Sequence, residues 1–201
     1  MQALGQELSG ERKGEIAVAD SAASGDAKMT GGPRKLTVTL LPMTATDLGE
    51  VDAIERDLFP SPWPRKAFLR ALKSRDTRFF TAFESGTVVG YAGMRFGDSA
   101  HILNIAVHRD YRRRKIGSQM LALLLDLAVR HGARCVTLEV RSSNMIAQSI
   151  YRKFGFAPVA VRKGYYAREK ESAIVMAKEI GEVAASERPR ATEQRALDPG
   201  V

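Results

Sequence analysis

The chain has 201 residues, 44% hydrophobic and 27% charged, with 31 lysines and arginines against 23 aspartates and glutamates and a net charge of +8. That is room for one soluble domain with some chain to spare, and no run approaches the roughly 18 apolar residues of a membrane helix. A single cysteine, Cys135, excludes an internal disulfide and a cysteine-built metal site, and the scattered His101, His108 and His131 form no metal-ligating pattern.

The first fifteen residues, MQALGQELSGERKGE, carry charges where a secretory signal needs an apolar core, so the expected compartment is the cytoplasm. Residues 1–34 and 181–201 are poor in large apolar side chains and are expected to be disordered. The folded unit is expected over 35–180. Residues 1–35 hold five acids and five bases, and 181–201 hold four acids and three bases, which leaves about +9 between them. A basic folded domain implies an anionic partner: nucleic acid, the ribosome or a phosphorylated small ligand.

Residues 35–41 alternate and read as a strand. Thr44 and Asp47 resemble a capping box, followed by a helical face of Leu48, Val51, Ile54 and Leu58. The prolines of PSPWP break the chain, and Pro64 sits at the start of a second helix. Two strands, 79–84 and 87–96, flank Ser85-Gly86, a hairpin signal. A strand over 100–107 precedes a helix over 116–131, which carries an apolar stripe and closes at Gly132. A strand over 135–141, a helix over 144–154 ending at Gly155, and strands over 157–162 and 172–178 complete the unit. A hairpin meander followed by strand–helix–strand crossovers implies an α/β fold with a mixed sheet and helices on both faces.

Three stretches carry possible chemistry. HRDYRRRKIGSQML, residues 108–121, joins a strand to a helix and surrounds the helix start with Arg109, Arg112, Arg113, Arg114 and Lys115. Free backbone N–H groups at the positive end of a helix dipole, set among bases, make an anion site. In the strand over 135–141, Val136, Leu138 and Val140 face one way and Thr137 and Glu139 the other. A carboxylate there is either a base or half of an ion pair. Tyr151 lies seven residues after Asn144, two turns along the same helical face.

YRRRKIGSQML resembles the acetyl-CoA pyrophosphate loop of the GNAT N-acetyltransferases, and LEVRSSNMIAQSIYRKFGF resembles their RimI-type branch, which acetylates ribosomal protein alanine N-termini. The resemblance runs from about Leu36 to Ile180. It implies the GNAT (acyl-CoA N-acyltransferase) fold, acetyl-CoA as co-substrate and no metal. It implies that Arg112, Arg113, Arg114, Lys115, Ile116, Gly117 and Ser118 hold the pyrophosphate. Lys115 stands where the family has its first glycine, and a lysine there still donates its N–H at a negative φ. The strand Leu103–Val107 is implied to splay from its neighbour, so that the backbone of Ile105, Ala106 and Val107 pairs with the pantetheine arm and stabilises the oxyanion. Asn144 matches a CoA-contacting asparagine and Ala147 allows close approach. By resemblance Glu139 is the general base, acting through water, and Tyr151 the general acid for the thiolate. Trp63, Tyr165 and Tyr166 match the walls of the peptide groove.

The implied partners are acetyl-CoA and the N-terminus of a ribosomal protein, protein eighteen of the small subunit, with no membrane and no need of direct nucleic-acid binding. An acetyltransferase of broader N-terminal or lysine specificity is the alternative within the class. A basic nucleic-acid-binding domain without catalysis is the alternative outside it, although no RNP-type, zinc-finger or helix-turn-helix pattern supports it.

Overall fold

The structure, a computed structural model, describes residues 38–166 and 170–180. The expected disorder over 1–34 and 181–201 lies outside the described residues. Strand β1 (Thr39–Pro42) leads to a 3-10 turn, Ala45–Asp47, and then to α1 (Leu48–Leu58). The Asp47 carboxylate accepts the Thr44 N–H at 2.9 Å, so the cap foreseen at the helix start closes the short turn ahead of it. Helix α2 (Arg65–Lys73) starts after Pro64. Strands β2 (Thr77–Glu84) and β3 (Thr87–Arg95) turn through Ser85 and Gly86, with φ of 51° and 82°. Two successive left-handed residues match the right-handed twist of a hairpin.

Then come β4 (Ser99–Val107), α3 (Ile116–Arg130), β5 (Cys135–Arg141), α4 (Met145–Lys153), β6 (Ala157–Tyr166) and β7 (Glu171–Glu179). The seven strands form one sheet in the order β1-β2-β3-β4-β5-β7-β6. Every pairing is antiparallel except β4 with β5, the pair that α3 connects. A parallel pair needs such a crossover.

Helices cover both faces. Val51, Ile54 and Phe68 from α1 and α2 bury against Phe79, Tyr91 and Ala106. Ile116, Met120, Leu121 and Leu124 of α3 bury against Met94, Val136, Leu138 and Val140 on the other face, with Ala147, Ile150 and Tyr151 of α4 packed on that cluster.

Two registers decide where the sheet opens. β4 pairs with β5 only from Ser99↔Cys135 to Ile102↔Leu138. Beyond Ile102, β4 stays with β3, through Asn104↔Gly93 to Val107↔Gly90, while β5 stays with β7 as far as Arg141↔Ala173. A register shift between Gly93 and Met94 leaves Leu103 as the extra residue of a bulge, and bulges re-aim a strand. Gly90 lets β3 follow β4 closely, since a Cβ there would stand 2.6 Å from the Ala106 carbonyl oxygen. Gly90→Ala is therefore expected to lower stability by about 1–3 kcal/mol, read by urea denaturation. A loss below about 0.3 kcal/mol would show that β4 moves aside freely.

Candidate active site

Where β4 and β5 part, a cavity of about 330 Å³ opens. Its walls are Ile105, Ala106 and Val107 on β4, Leu58 and Phe59 at the end of α1, Arg112 and Gly117 around the start of α3, and Arg141, Asn144, Ala147 and Tyr151 from β5 and α4. The Ala106 methyl is buried among the α1 and α2 side chains, so this residue presents mainly backbone to the cavity.

The loop before α3 is more strained than its sequence implies. Arg113 has φ 63° and Lys115 has φ 62°, ψ 8°. The condition of a negative φ at Lys115 is not met: the chain leaves an extended Arg112 and must enter α3 within three residues, so the lysine takes the left-handed backbone that suits glycine. Arg114 pairs with Glu84 at 3.0 Å and lies 5.0 Å above the Tyr111 ring. Arg109 binds the Asp57 carboxylate and carbonyl, each at 2.7 Å. Arg112 and Gly117 line the cavity; Arg113, Arg114, Lys115, Ile116 and Ser118 do not. Ile116 is a core side chain that offers only backbone to the helix start.

Glu139 is the first β5 residue past the last pair with β4. It does not line the cavity, although Arg141, two residues on and on the same face by alternation, does. His101 Nε2 lies 2.9 Å from its Oε2, and Arg162 Nη1 lies 3.1 Å from its Oε1. Tyr151 lines the cavity, and burial, helped by the neighbouring Tyr166, pushes its hydroxyl up to about 12. Asn144 caps α4 by accepting the Ala147 N–H at 3.1 Å.

The expected acceptor walls lie outside the cavity lining. Tyr165 and Tyr166 stack edge-on, and the Arg141 guanidinium covers the Tyr166 ring at 3.9 Å. Arg141 also binds Glu171 at 3.0 Å. Hydrogen bonds from Ser143, with Arg141 after them, hold the Glu171 carboxyl down at about 2. Trp63 is half buried against Phe68 and Phe79, with centroids 5.4 and 6.0 Å away, so it belongs to the core beneath the proline turn as well as to the turn's surface.

Glu55 escaped the sequence reading. It is 1% exposed; Oε2 accepts the Trp63 N–H at 2.6 Å, and Oε1 accepts from the Tyr91 hydroxyl and from Asn104 Nδ2 at 3.2 Å. Burial, against the help of the Trp63 and Asn104 bonds, raises its carboxyl to about 7. A signal existed: Glu55 stands seven residues after Leu48 and four after Val51, on the apolar face of α1.

The profile of the Acetyltransferase (GNAT) family matches residues 48–156. A Mycobacterium tuberculosis protein named N-alpha-acetyltransferase RimI is 37% identical over 152 residues, 72% of this chain and 94% of that protein. The [ribosomal protein bS18]-alanine N-acetyltransferase of Escherichia coli is 32% identical over 142 residues, 69% of this chain and 95% of its own. A crystal structure of the E. coli S18-alanine acetyltransferase superimposes with a TM-score of 0.67 at 29% identity, covering 80% of this chain and all of that one. The chain belongs to the GNAT acetyltransferase family.

It is an acetyl-CoA-dependent N-acetyltransferase, and the site fits that co-substrate. A cleft between diverging strands offers backbone along Ile105–Val107 to an amide-bearing arm, and its end at the start of α3, beside Arg112, suits a pyrophosphate. Among the described residues no group of His, Cys, Asp and Glu could hold a metal ion, and no helix is long and apolar enough to cross a membrane.

Two predictions follow from this geometry. Lys115→Gly relieves a left-handed lysine and is expected to stabilise the acetyltransferase by up to about 1 kcal/mol, with acetyl-CoA affinity within about tenfold. Thermal unfolding and calorimetric titration read the two effects; a lower melting temperature would contradict the first. For Glu55, the folded state keeps a proton that the unfolded chain loses above about pH 4.5. Stability from this group is therefore full below that pH and falls as pH rises towards 7, by about 2–3 kcal/mol. Denaturation of wild type and Glu55→Gln across pH 4–8 should show the variant losing less over that window; parallel curves would refute the assignment.

Proposed function

We propose that this acetyltransferase modifies the α-amine of a protein N-terminus, and that its client is the alanine at the start of protein eighteen of the small ribosomal subunit. The observation that carries this reading is the match to the E. coli bS18-alanine acetyltransferase over 95% of that protein's length. A ribosomal client sets the work in the cytoplasm, and the basic surface between the two termini suits it.

In this reading the acetyl donor is a thioester that the amine attacks directly, so no enzyme nucleophile is required. Glu139 takes the amine proton through a water. Tyr151 donates its hydroxyl proton to the leaving thiolate; a phenol held at about 12 is still protonated at working pH. A backbone N–H in the Ile105–Val107 strand faces the developing negative charge. Arg112, Arg113 and Lys115, with the backbone of Arg114, Ile116, Gly117 and Ser118, hold the pyrophosphate, and Asn144 contacts the co-substrate beside them. Trp63, Tyr165 and Tyr166 flank the incoming peptide. α1 and α2 pack on β2, β3 and β4, and Glu139 stands on the next strand of the sheet, β5.

An α-amine near ~8 is far easier to deprotonate than a lysine near ~10.4, a difference of about 3 kcal/mol. With the full chain and acetyl-CoA, an Ala-starting peptide should be acetylated strongly, and the same peptide with a blocked N-terminus and an internal lysine hardly at all. Glu139→Gln should lower kcat by roughly 10²–10⁴. Mass spectrometry and thiol release read both. Comparable acetylation of the lysine peptide would favour the lysine acetyltransferase, and RNA retention without thiol release would favour the nucleic-acid binder.

A further inference from the structure

The side chain of His101 is bound at both ring nitrogens. Nε2 meets Glu139 Oε2 at 2.9 Å, and Nδ1 meets Thr137 Oγ1 at 2.8 Å. The same threonine hydroxyl lies 3.4 Å from the Ala100 carbonyl oxygen. This arrangement admits two charge states without turning the ring. With a neutral imidazole, Nε2–H donates to Glu139 and Nδ1 accepts from the Thr137 hydroxyl. With an imidazolium, both nitrogens donate, and the Thr137 hydroxyl swings to donate to Ala100. In both states the ring stays on Glu139. A change in its charge is therefore delivered at hydrogen-bond distance, at a site where His101 is 23% and Glu139 11% exposed.

From this geometry we propose that His101 is a positioning residue for the acetyl transfer, which as a neutral imidazole fixes the Glu139 carboxylate for proton abstraction and as an imidazolium weakens it as a base. The inference rests on the reading of Glu139 as the base. Arg162 on β6 already occupies the other carboxylate oxygen, so a protonated His101 would put a second cation on the same group. The charged and titratable groups facing His101 are Arg95, its register partner on β3, Glu139 on β5 and Arg162 on β6. Burial first, then the charges of Arg95 and Arg162, hold its imidazole below the ordinary histidine range against the pull of Glu139. At neutral pH it is therefore in the form that serves Glu139, and acid conditions withdraw that form.

The test compares His101→Ala, His101→Gln and Thr137→Val with wild type, using full-length enzyme, saturating acetyl-CoA and an Ala-starting peptide from pH 5.5 to 8.5. Ratios of kcat cancel the titration of the peptide amine. At pH 8.5 His101→Ala should lose about tenfold or more in kcat with the KM for acetyl-CoA unchanged. His101→Gln keeps an N–H for Glu139 and should recover most of that loss. As pH falls to 5.5, kcat of His101→Gln relative to wild type should rise at least threefold, because glutamine cannot take a charge. Thr137→Val removes the acceptor of the imidazolium Nδ1–H, so its acid limb should move to lower pH. Glu139→Gln is measured alongside. If Glu139→Gln is inactive but the His101→Gln ratio is flat, or His101→Ala stays within twofold, the inference about His101 fails alone. If Glu139→Gln keeps wild-type activity, the base assignment fails and this inference falls with it.

Discussion

The parting of β4 from β5 is the constraint on which the rest of the site depends. Two parallel strands that share four paired positions and then diverge leave backbone N–H and C=O groups on their facing edges that water or a ligand must satisfy. The divergence is built from both sides. β4 is kept with β3 by the ladder from Asn104 to Val107, and Asn104 is tied through Glu55 to α1. β5 is kept with β7 along its whole length, and its end is held to α4 by buried Gln148, whose Nε2 donates to the Arg141 and Ser142 carbonyls at 3.1 and 3.0 Å. Neither strand closes the gap without giving up bonds on its far side. The opening is a fixed feature of the fold, suited to an extended, amide-bearing co-substrate.

Much of the fold was legible in the sequence because its elements are marked by local chemistry. Ser85-Gly86, Gly132 and Gly155 all hold positive φ where turns and helix ends were read, and alternation along Val136–Val140 separated the core face of β5 from the Glu139 face. What could not be read depends on register. The pairing of His101 and Arg162 with Glu139 requires β4, β5 and β6 to be aligned through the short β4–β5 ladder and shifts in the β6–β7 ladder, and one residue of slip would turn those side chains to the other face. The left-handed Lys115 was missed for a different reason. Its backbone is set by the distance the chain must cover between Arg112 and α3, and lysine carries no local preference that announces it.

Charge in the loop before α3 has two uses. Five bases in seven residues read as one anion-binding block, but Arg109 and Arg114 are engaged by Asp57 and Glu84 from α1 and β2. Those pairs fasten the loop to the face carrying α1 and set the direction in which α3 leaves it. An anion site needs this fastening. Backbone N–H groups recognise phosphate only if they already point inwards, since the cost of ordering the loop at binding would otherwise be taken from affinity. The partly exposed pairs add little stability themselves; their role is to hold a strained loop in one shape.

Glu55 joins the turn beside the proposed peptide path to β4, the strand that lines the cavity. Its carboxyl receives the Trp63 N–H from the turn that flanks the proposed peptide path, the Tyr91 hydroxyl from β3, and the Asn104 amide at the bulge of β4. A core built only for stability would place a leucine at this helical position, because burying a carboxyl that titrates near 7 weakens the fold at working pH. A leucine would bury as well but would take the acceptor from the Trp63 N–H and the Tyr91 hydroxyl, leaving Asn104 Nδ2 only the Tyr91 oxygen at 3.4 Å. The Trp63 turn would then be free to shift against β4. The carboxyl costs stability but gives one rigid link between the peptide side and the co-substrate strand. That link matters for the proposed direct transfer: if no covalent intermediate on the enzyme waits for the second substrate, the amine and the thioester must be positioned by parts of the protein that do not move relative to one another.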